Sequence, residues 1–187
     1  MKDFLEHFKE IKDNPEISHY LFKSVLNELP SWQAFIDYIE FSKIAGNYRS
    51  DSEGIYILHT DPTNHDLSSF GIVQQLRSEI REIYGDEIDM VGITLLISEL
   101  SKDDTDGPTG ITKHYDPQDT VHWACIGKSQ WHIYSDETNE IEFEYIVEPG
   151  DVFFTRKHIV HDVESLSKRA ACILTMHKDG ETEYGKK

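Results

Sequence analysis

The chain has 187 residues, a formal charge of −17 and 38% hydrophobic residues, 11% of the chain being aromatic. That length suits one domain with a real core and is short for two. No run approaches the roughly 18 apolar residues of a membrane span, the acidic excess disfavours a nucleic-acid partner by repelling phosphates, and two cysteines, Cys125 and Cys172, are too few for a disulfide framework.

The N-terminal MKDFLEHFKEIKD alternates apolar and charged residues and lacks the apolar stretch and cleavage site of a secretory signal, so a cytoplasmic location with buried free thiols is expected. In NPEISHYLFKSVLNELP, Asn14 can cap, Pro15 suits the first helical position, and Ile17, Tyr20, Leu21, Val25 and Leu29 share one face up to Pro30, which predicts a helix. Ser31 can cap a second helix carrying Trp32, Phe35, Ile36 and Ile39. GIYILHT reads as a strand, and 68–84 as a third helix ended by Gly85.

From about residue 88 the period becomes two. VGITLLISEL, TVHWACI, QWHIYS, IEFEYIV, DVFFT and RAACILTMH are short β-branched or aromatic runs divided by DDTDGPTG, GKS, SDETNE, EPGD and SLSK. In IEFEYIV, Ile141, Phe143 and Tyr145 alternate with Glu142 and Glu144, which predicts one buried and one wet face. The expectation is an α+β chain in one domain: a mainly helical region with one strand over 1–87, a β-barrel over 88–177 and a polar tail over 178–187.

Ten histidines among 35 acidic residues give about two His-x-acid triplets by chance, and the chain has three. His177-Lys178-Asp179 opens the polar tail, and His59-Thr60-Asp61 enters a Pro-containing turn. His114-Tyr115-Asp116 stands apart because further histidines lie downstream on a strand and turn. Two imidazoles and one carboxylate on one face of a metal leave positions open for substrate and oxygen, the arrangement of non-haem Fe(II) oxygenases. EPGDVFFTRKHIVHDVESLSKRA supplies the missing histidine, at His158 or His161.

The order His-x-Asp, Gly turn, strand, Pro-Gly-Asp and histidine about ten residues later resembles the double-stranded β-helix (jelly-roll) of JmjC-like and cupin-type Fe(II)/2-oxoglutarate oxygenases, over roughly residues 88–176. His161-Asp162-Val163-Glu164-Ser165 matches that family's distal segment and His158 does not. The resemblance implies that His114, Asp116 and His161 hold Fe(II), that 2-oxoglutarate is the cosubstrate, and that a hydroxylated product forms with succinate and CO2. It also implies helices on the barrel's outer surface or at its mouth.

The far carboxylate of 2-oxoglutarate needs a cation or hydroxyl. The family pattern resembles Gly-x-Lys, whereas here Gly127-Lys128 places the lysine one residue early, so Lys128 turns inward only through a bulge at Gly127. Arg169 is the second candidate, and Thr120 and His122 alternate as further pocket-lining residues. A cupin-type isomerase or dioxygenase that dispenses with 2-oxoglutarate would keep the triad and need no such cation. A non-catalytic barrel and a zinc site on His122, Cys125 and Cys172 are the weaker rivals. Trp123 and Trp131 read as core. The substrate, a small molecule or protein side chain, depends on loops such as 101–113, and homodimerisation through the helices is open.

Overall fold

The computed structural model describes residues 1–45, 49–50, 55–60, 71–98 and 110–178. Among these residues, three α-helices, α1 (Lys2–Asp13), α2 (Trp32–Ala45) and α3 (Gly71–Tyr84), the last running into a 3-10 turn at Gly85–Glu87, accompany eleven strands. The strands are β1 (His19–Phe22), β2 (Arg49–Ser50), β3 (Ile55–Thr60), β4 (Met90–Ser98), β5 (Gly110–Tyr115), β6 (Thr120–Ile126), β7 (Ser129–Tyr134), β8 (Ile141–Val147), β9 (Val152–Thr155), β10 (Val160–Ser165) and β11 (Arg169–His177).

They form two antiparallel sheets: a major one in the order β1-β9-β6-β11-β4-β3-β2 and a minor one in the order β5-β10-β7-β8. Apart from the β7–β8 hairpin, which stays within the minor sheet, successive strands from β4 to β11 alternate between the sheets, which is the double-stranded β-helix. The region before residue 88 is less separate than its helical pattern implies, because β1, β2 and β3 all join the major sheet.

The core has two layers. Helices α1, α2 and α3 bury Phe4, Phe8, Phe35, Leu76 and Ile80 against the outer face of the major sheet, where Leu95, Trp123 and Leu174 meet them. The second layer, between the sheets, is small: Ala124, Trp131, Ile133, Val147, Phe153 and Val163. Alternation on the strands sorts the two sets. On β6, Val121, Trp123 and Cys125 join the helix-side cluster, and His122 faces the space between the sheets.

The helix expected over 14–30 is absent. The first helix is α1, whose Phe4, Phe8 and Ile11 are buried at helical spacing, and His19–Phe22 is a strand paired with β9, Tyr20 opposite Phe154. The backbone beyond it bonds to the Pro149-Gly150-Asp151 turn instead of to itself. Val25 and Leu26 N–H donate to the Gly150 carbonyl at 3.0 and 3.1 Å, and Ser24, at φ 53°, donates its N–H to Asp151 Oδ1 at 2.8 Å. Arg156 then closes α1 by donating to the carbonyls of Lys12 (2.7 Å), Asn14 (2.9 Å) and Ile17 (2.7 Å).

The other helices and the strand in GIYILHT occur where expected, and Ser31 Oγ accepts from Ala34 N–H at 3.3 Å. Residues 68–70 and the side chain of Ile39 lie outside the described residues. IEFEYIV departs from expectation. Ile141 is 47% and Phe143 42% exposed, because β8 ends the minor sheet and the facing edge strand, β1, is only four residues long.

Candidate metal centre

Two strands absent from the period-two reading, β5 and β10, carry the centre. They pair antiparallel with His114 directly opposite His161, which sets the rings 4.4 Å apart, centroid to centroid. Asp116 follows the end of β5, and its carbonyl accepts from His158 N–H at 2.8 Å, so the turn before β10 fixes the backbone that presents the carboxylate. That turn needs His158 at φ 67°. The His158 ring packs edge-on against Tyr115, 5.5 Å away, and takes no part in the cluster.

Each ligand imidazole is oriented by its own strand. His114 Nδ1 lies 2.8 Å from the Thr112 carbonyl and His161 Nδ1 2.9 Å from that of Ile159. An Nδ1–H donated to a carbonyl leaves the Nε2 lone pair free for a metal. Both Nε2 atoms face Asp116, at 3.8 Å from Oδ1 for His114 and 3.9 Å from Oδ2 for His161, and the three donors lie within 4.8 Å of one another. Donors on one octahedral face at bonds of roughly 2.1 Å stand about 3 Å apart, so side-chain movements of under about 1 Å close the set on an ion. The donor set fits a divalent metal.

Burial disfavours the charged form of His161 and His122. Burial, and then the nearby His114, lower the His161 pKa below the ordinary histidine value. The His122 pKa lies well below it, through burial first and then the charge of Arg169. Trp131 stacks on His161 at 5.2 Å with 15° between the planes, and also meets His122 edge-on at 4.8 Å and Phe153 at 4.7 Å. The indole thus covers the interior side of the ligand, while His114 and Asp116 remain about one-third exposed.

Beside the triad lies a cavity of about 460 Å³, within the range of small-molecule sites. Thr120 and His122 both line it, as does Gln118, a residue absent from the sequence-based candidates. The signal for Gln118 was present: Asp116, Gln118, Thr120 and His122 recur at a period of two. Thr120 is already engaged, its hydroxyl 2.7 Å from that of Thr155.

Arg169 is 3% exposed. It shares a face of β11 with Ile173, Thr175 and His177, which line the cavity, though the cavity stops short of it. Its Nε donates to Ser165 Oγ at 2.9 Å, and its Nη2 is buried with no partner among the described residues. Burial pulls the guanidinium down to about 10.

Lys128 does not turn inward. Gly127 adopts φ 69° within the β6–β7 turn, and that turn sends Lys128 out to solvent, 54% exposed, where it pairs with Glu148 at 2.5 Å. The zinc alternative does not assemble either. Cys125 and Cys172, 3.7 Å apart, are buried in the helix-side cluster, and His122 is on the other face of the sheet. Trp123 is core as expected, whereas Trp131 serves both the inner cluster and the cavity wall. His177 lines the cavity, and Asp61, Asp179 and 101–109 lie outside the described residues.

No protein-family model matches the chain, and no curated protein aligns with it. Solved structures do resemble it. A Pseudomonas putida prolyl-4-hydroxylase superposes with a TM-score of 0.58 at 13% identity, covering 91% of this chain and 97% of that one. The Escherichia coli ribosomal oxygenase YcfD superposes at 0.60 with 11% identity, covering 92% of this chain and 51% of that one, so the chain spans about half of YcfD. A YcfD structure in complex with cobalt and succinic acid gives 0.60 at 13% identity. The chain therefore has the fold of these oxygenases, a double-stranded β-helix flanked by N-terminal helices.

Proposed function

We propose that the protein is an Fe(II)- and 2-oxoglutarate-dependent oxygenase of the hydroxylase type, with a small molecule or a protein side chain as substrate. One observation carries the reading: a His-Asp-His donor set opens on a cavity whose strand β11 continues to a buried arginine that has no carboxylate partner among the described residues. The fold shared with a prolyl-4-hydroxylase and YcfD supports it.

In this reading His114, Asp116 and His161 hold iron, which with 2-oxoglutarate supplies oxygen activation, leaving succinate, CO2 and a hydroxylated product. The chain's own part is binding and positioning. Two neutral imidazoles and one carboxylate neutralise half of a divalent charge, so the site still attracts an anionic cosubstrate. Arg169 receives the far carboxylate by charge-assisted bonds from a guanidinium already desolvated. His122, held neutral, adds no competing positive charge beside the metal. Trp131 keeps water from the interior side of His161, and the exposed side at Asp116 is left for substrate.

Anaerobic titration of the Fe(II)-loaded protein with 2-oxoglutarate tests the proposal. A visible charge-transfer band that is lost in His161→Ala is expected. Bound iron with no band on saturation would instead support a cupin-type enzyme working without 2-oxoglutarate.

A further inference from the structure

Away from the metal, β8 presents an edge that the fold leaves open. Among the described residues it pairs only with β7. Exposed edge strands are normally shortened or blunted by charged residues, proline or a bulge; β8 has seven residues, no lysine or proline, two glutamates as its charges, and large apolar side chains in the open, Ile141 at 47%, Phe143 at 42% and Ile146 at 44%. A bulge at Glu142 bends its start, and Lys23 reaches the Ile146 carbonyl at 3.4 Å near its end. Between them, Phe143 and Tyr145 face His19 across the open end of the sandwich. His19 sits 4.9 Å from the Phe143 ring, and its Nε2 is 3.0 Å from the Tyr145 hydroxyl.

Charge selects the occupant. Residues 140–148 contain Glu140, Glu142, Glu144 and Glu148. Glu148 is paired with Lys23 and Lys128, and among the described residues Glu144 meets only His132, at 3.6 Å. Glu140 and Glu142 have no cationic partner among the described residues. A second copy of the strand would double this acid along one seam, and like charges across a strand pair are destabilising.

We infer that β8 is a docking edge for an extended basic segment of another protein, which adds a strand to the minor sheet, sets Lys or Arg against Glu142 and Glu144, and places its alternate apolar residues beside Phe143 and Tyr145. The docking edge is independent of the metal centre.

The test is fluorescence anisotropy with the full chain and three labelled heptapeptides: one alternating lysine with valine or phenylalanine, a twin with glutamate for lysine, and a twin of the basic peptide with a central proline, which keeps the charge and removes a strand N–H. Saturable binding of the basic peptide is expected, with the acidic twin weaker by about tenfold or more through loss of several charge anchors and the proline twin weaker by about fivefold through loss of one strand bond. The double variant Glu142→Lys, Glu144→Lys should lose the basic peptide and gain the acidic one, and His161→Ala should bind as the parent does. Equal binding of the basic peptide and its proline twin would reduce the effect to bulk charge and overturn the inference. Loss of binding in His161→Ala would overturn it by moving the peptide to the metal cavity. A concentration-dependent dimer abolished by Phe143→Thr, with no peptide bound, would overturn it in favour of a second copy.

Discussion

Arg169→Met separates a functional cation from a structural one. The guanidinium is buried and held at about 10 by desolvation. A base whose folded value lies below its unfolded value is destabilising at every pH below the folded value, so at neutral pH the charge opposes folding. At about 1.4 kcal/mol per pH unit, that opposition amounts to about 3 kcal/mol. Methionine is close in volume and removes the charge at the loss, among the described residues, of the bond to Ser165 Oγ, worth about 1 kcal/mol. The metal-free variant should therefore resist urea about 1–2 kcal/mol better than the parent. Its 2-oxoglutarate affinity, measured calorimetrically on the Mn(II)-loaded protein, should fall about 100-fold, the equivalent of one desolvated charge-assisted interaction. A variant destabilised by more than about 2 kcal/mol that binds 2-oxoglutarate unchanged would refute the reasoning and make Arg169 a packing residue.

His114→Ala and Asp116→Ala should each abolish turnover and tight Mn(II) binding while costing under about 1 kcal/mol of stability, because both side chains sit at a partly exposed rim; circular dichroism melts against metal titrations check this. The metal-free protein should lose stability as pH falls below about 6.5, since His122 and His161 are neutral when folded and take up protons on unfolding; urea midpoints that stay level from pH 7 to 5 would contradict it. Lys128→Ala should leave 2-oxoglutarate affinity unchanged by the same calorimetry, as its ammonium faces solvent. Gly127→Ala should destabilise by more than about 2 kcal/mol in urea, because the added Cβ would meet the Lys168 carbonyl oxygen at 2.1 Å and the backbone has φ 69°.

The ligands could be read from the sequence although their strands could not. His114, Asp116 and His161 announced themselves by residue type and by the Pro-Gly-Asp turn ahead of β10. GITKHY and VHDVES carry too few consecutive β-branched or aromatic residues for a period-two pattern, since part of each strand faces a polar cavity and not a core. The segment after Asn14 failed for the opposite reason. Its caps and spacing favour a helix locally, and pairing of HYLF with β9 overrode them. IEFEY alternates, yet the bulge at Glu142 pairs Ile141 and Phe143 with the adjacent Tyr134 and Ile133 and so turns them to opposite faces, and alternation is silent on whether anything covers a face. The arginine on β11 was legible only as a charge at a strand start. Its weight comes from burial with no carboxylate partner among the described residues, a property of the packed chain.

Because His114 and His161 stand opposite one another in the β5–β10 ladder, and β5 is the last strand of its sheet, an ion held by both acts as a rivet across that edge. Metal that binds only the paired arrangement stabilises it by about 4 kcal/mol at a thousand times its dissociation constant. Strand β5 bears one imidazole and leads straight into the carboxylate, so the protein's grip on its metal and the metal's grip on the strand are one equilibrium. Hydrogen exchange should show the amides of Gly110–Tyr115 slowing on metal addition more than those of β4 or β6, which lie inside the major sheet.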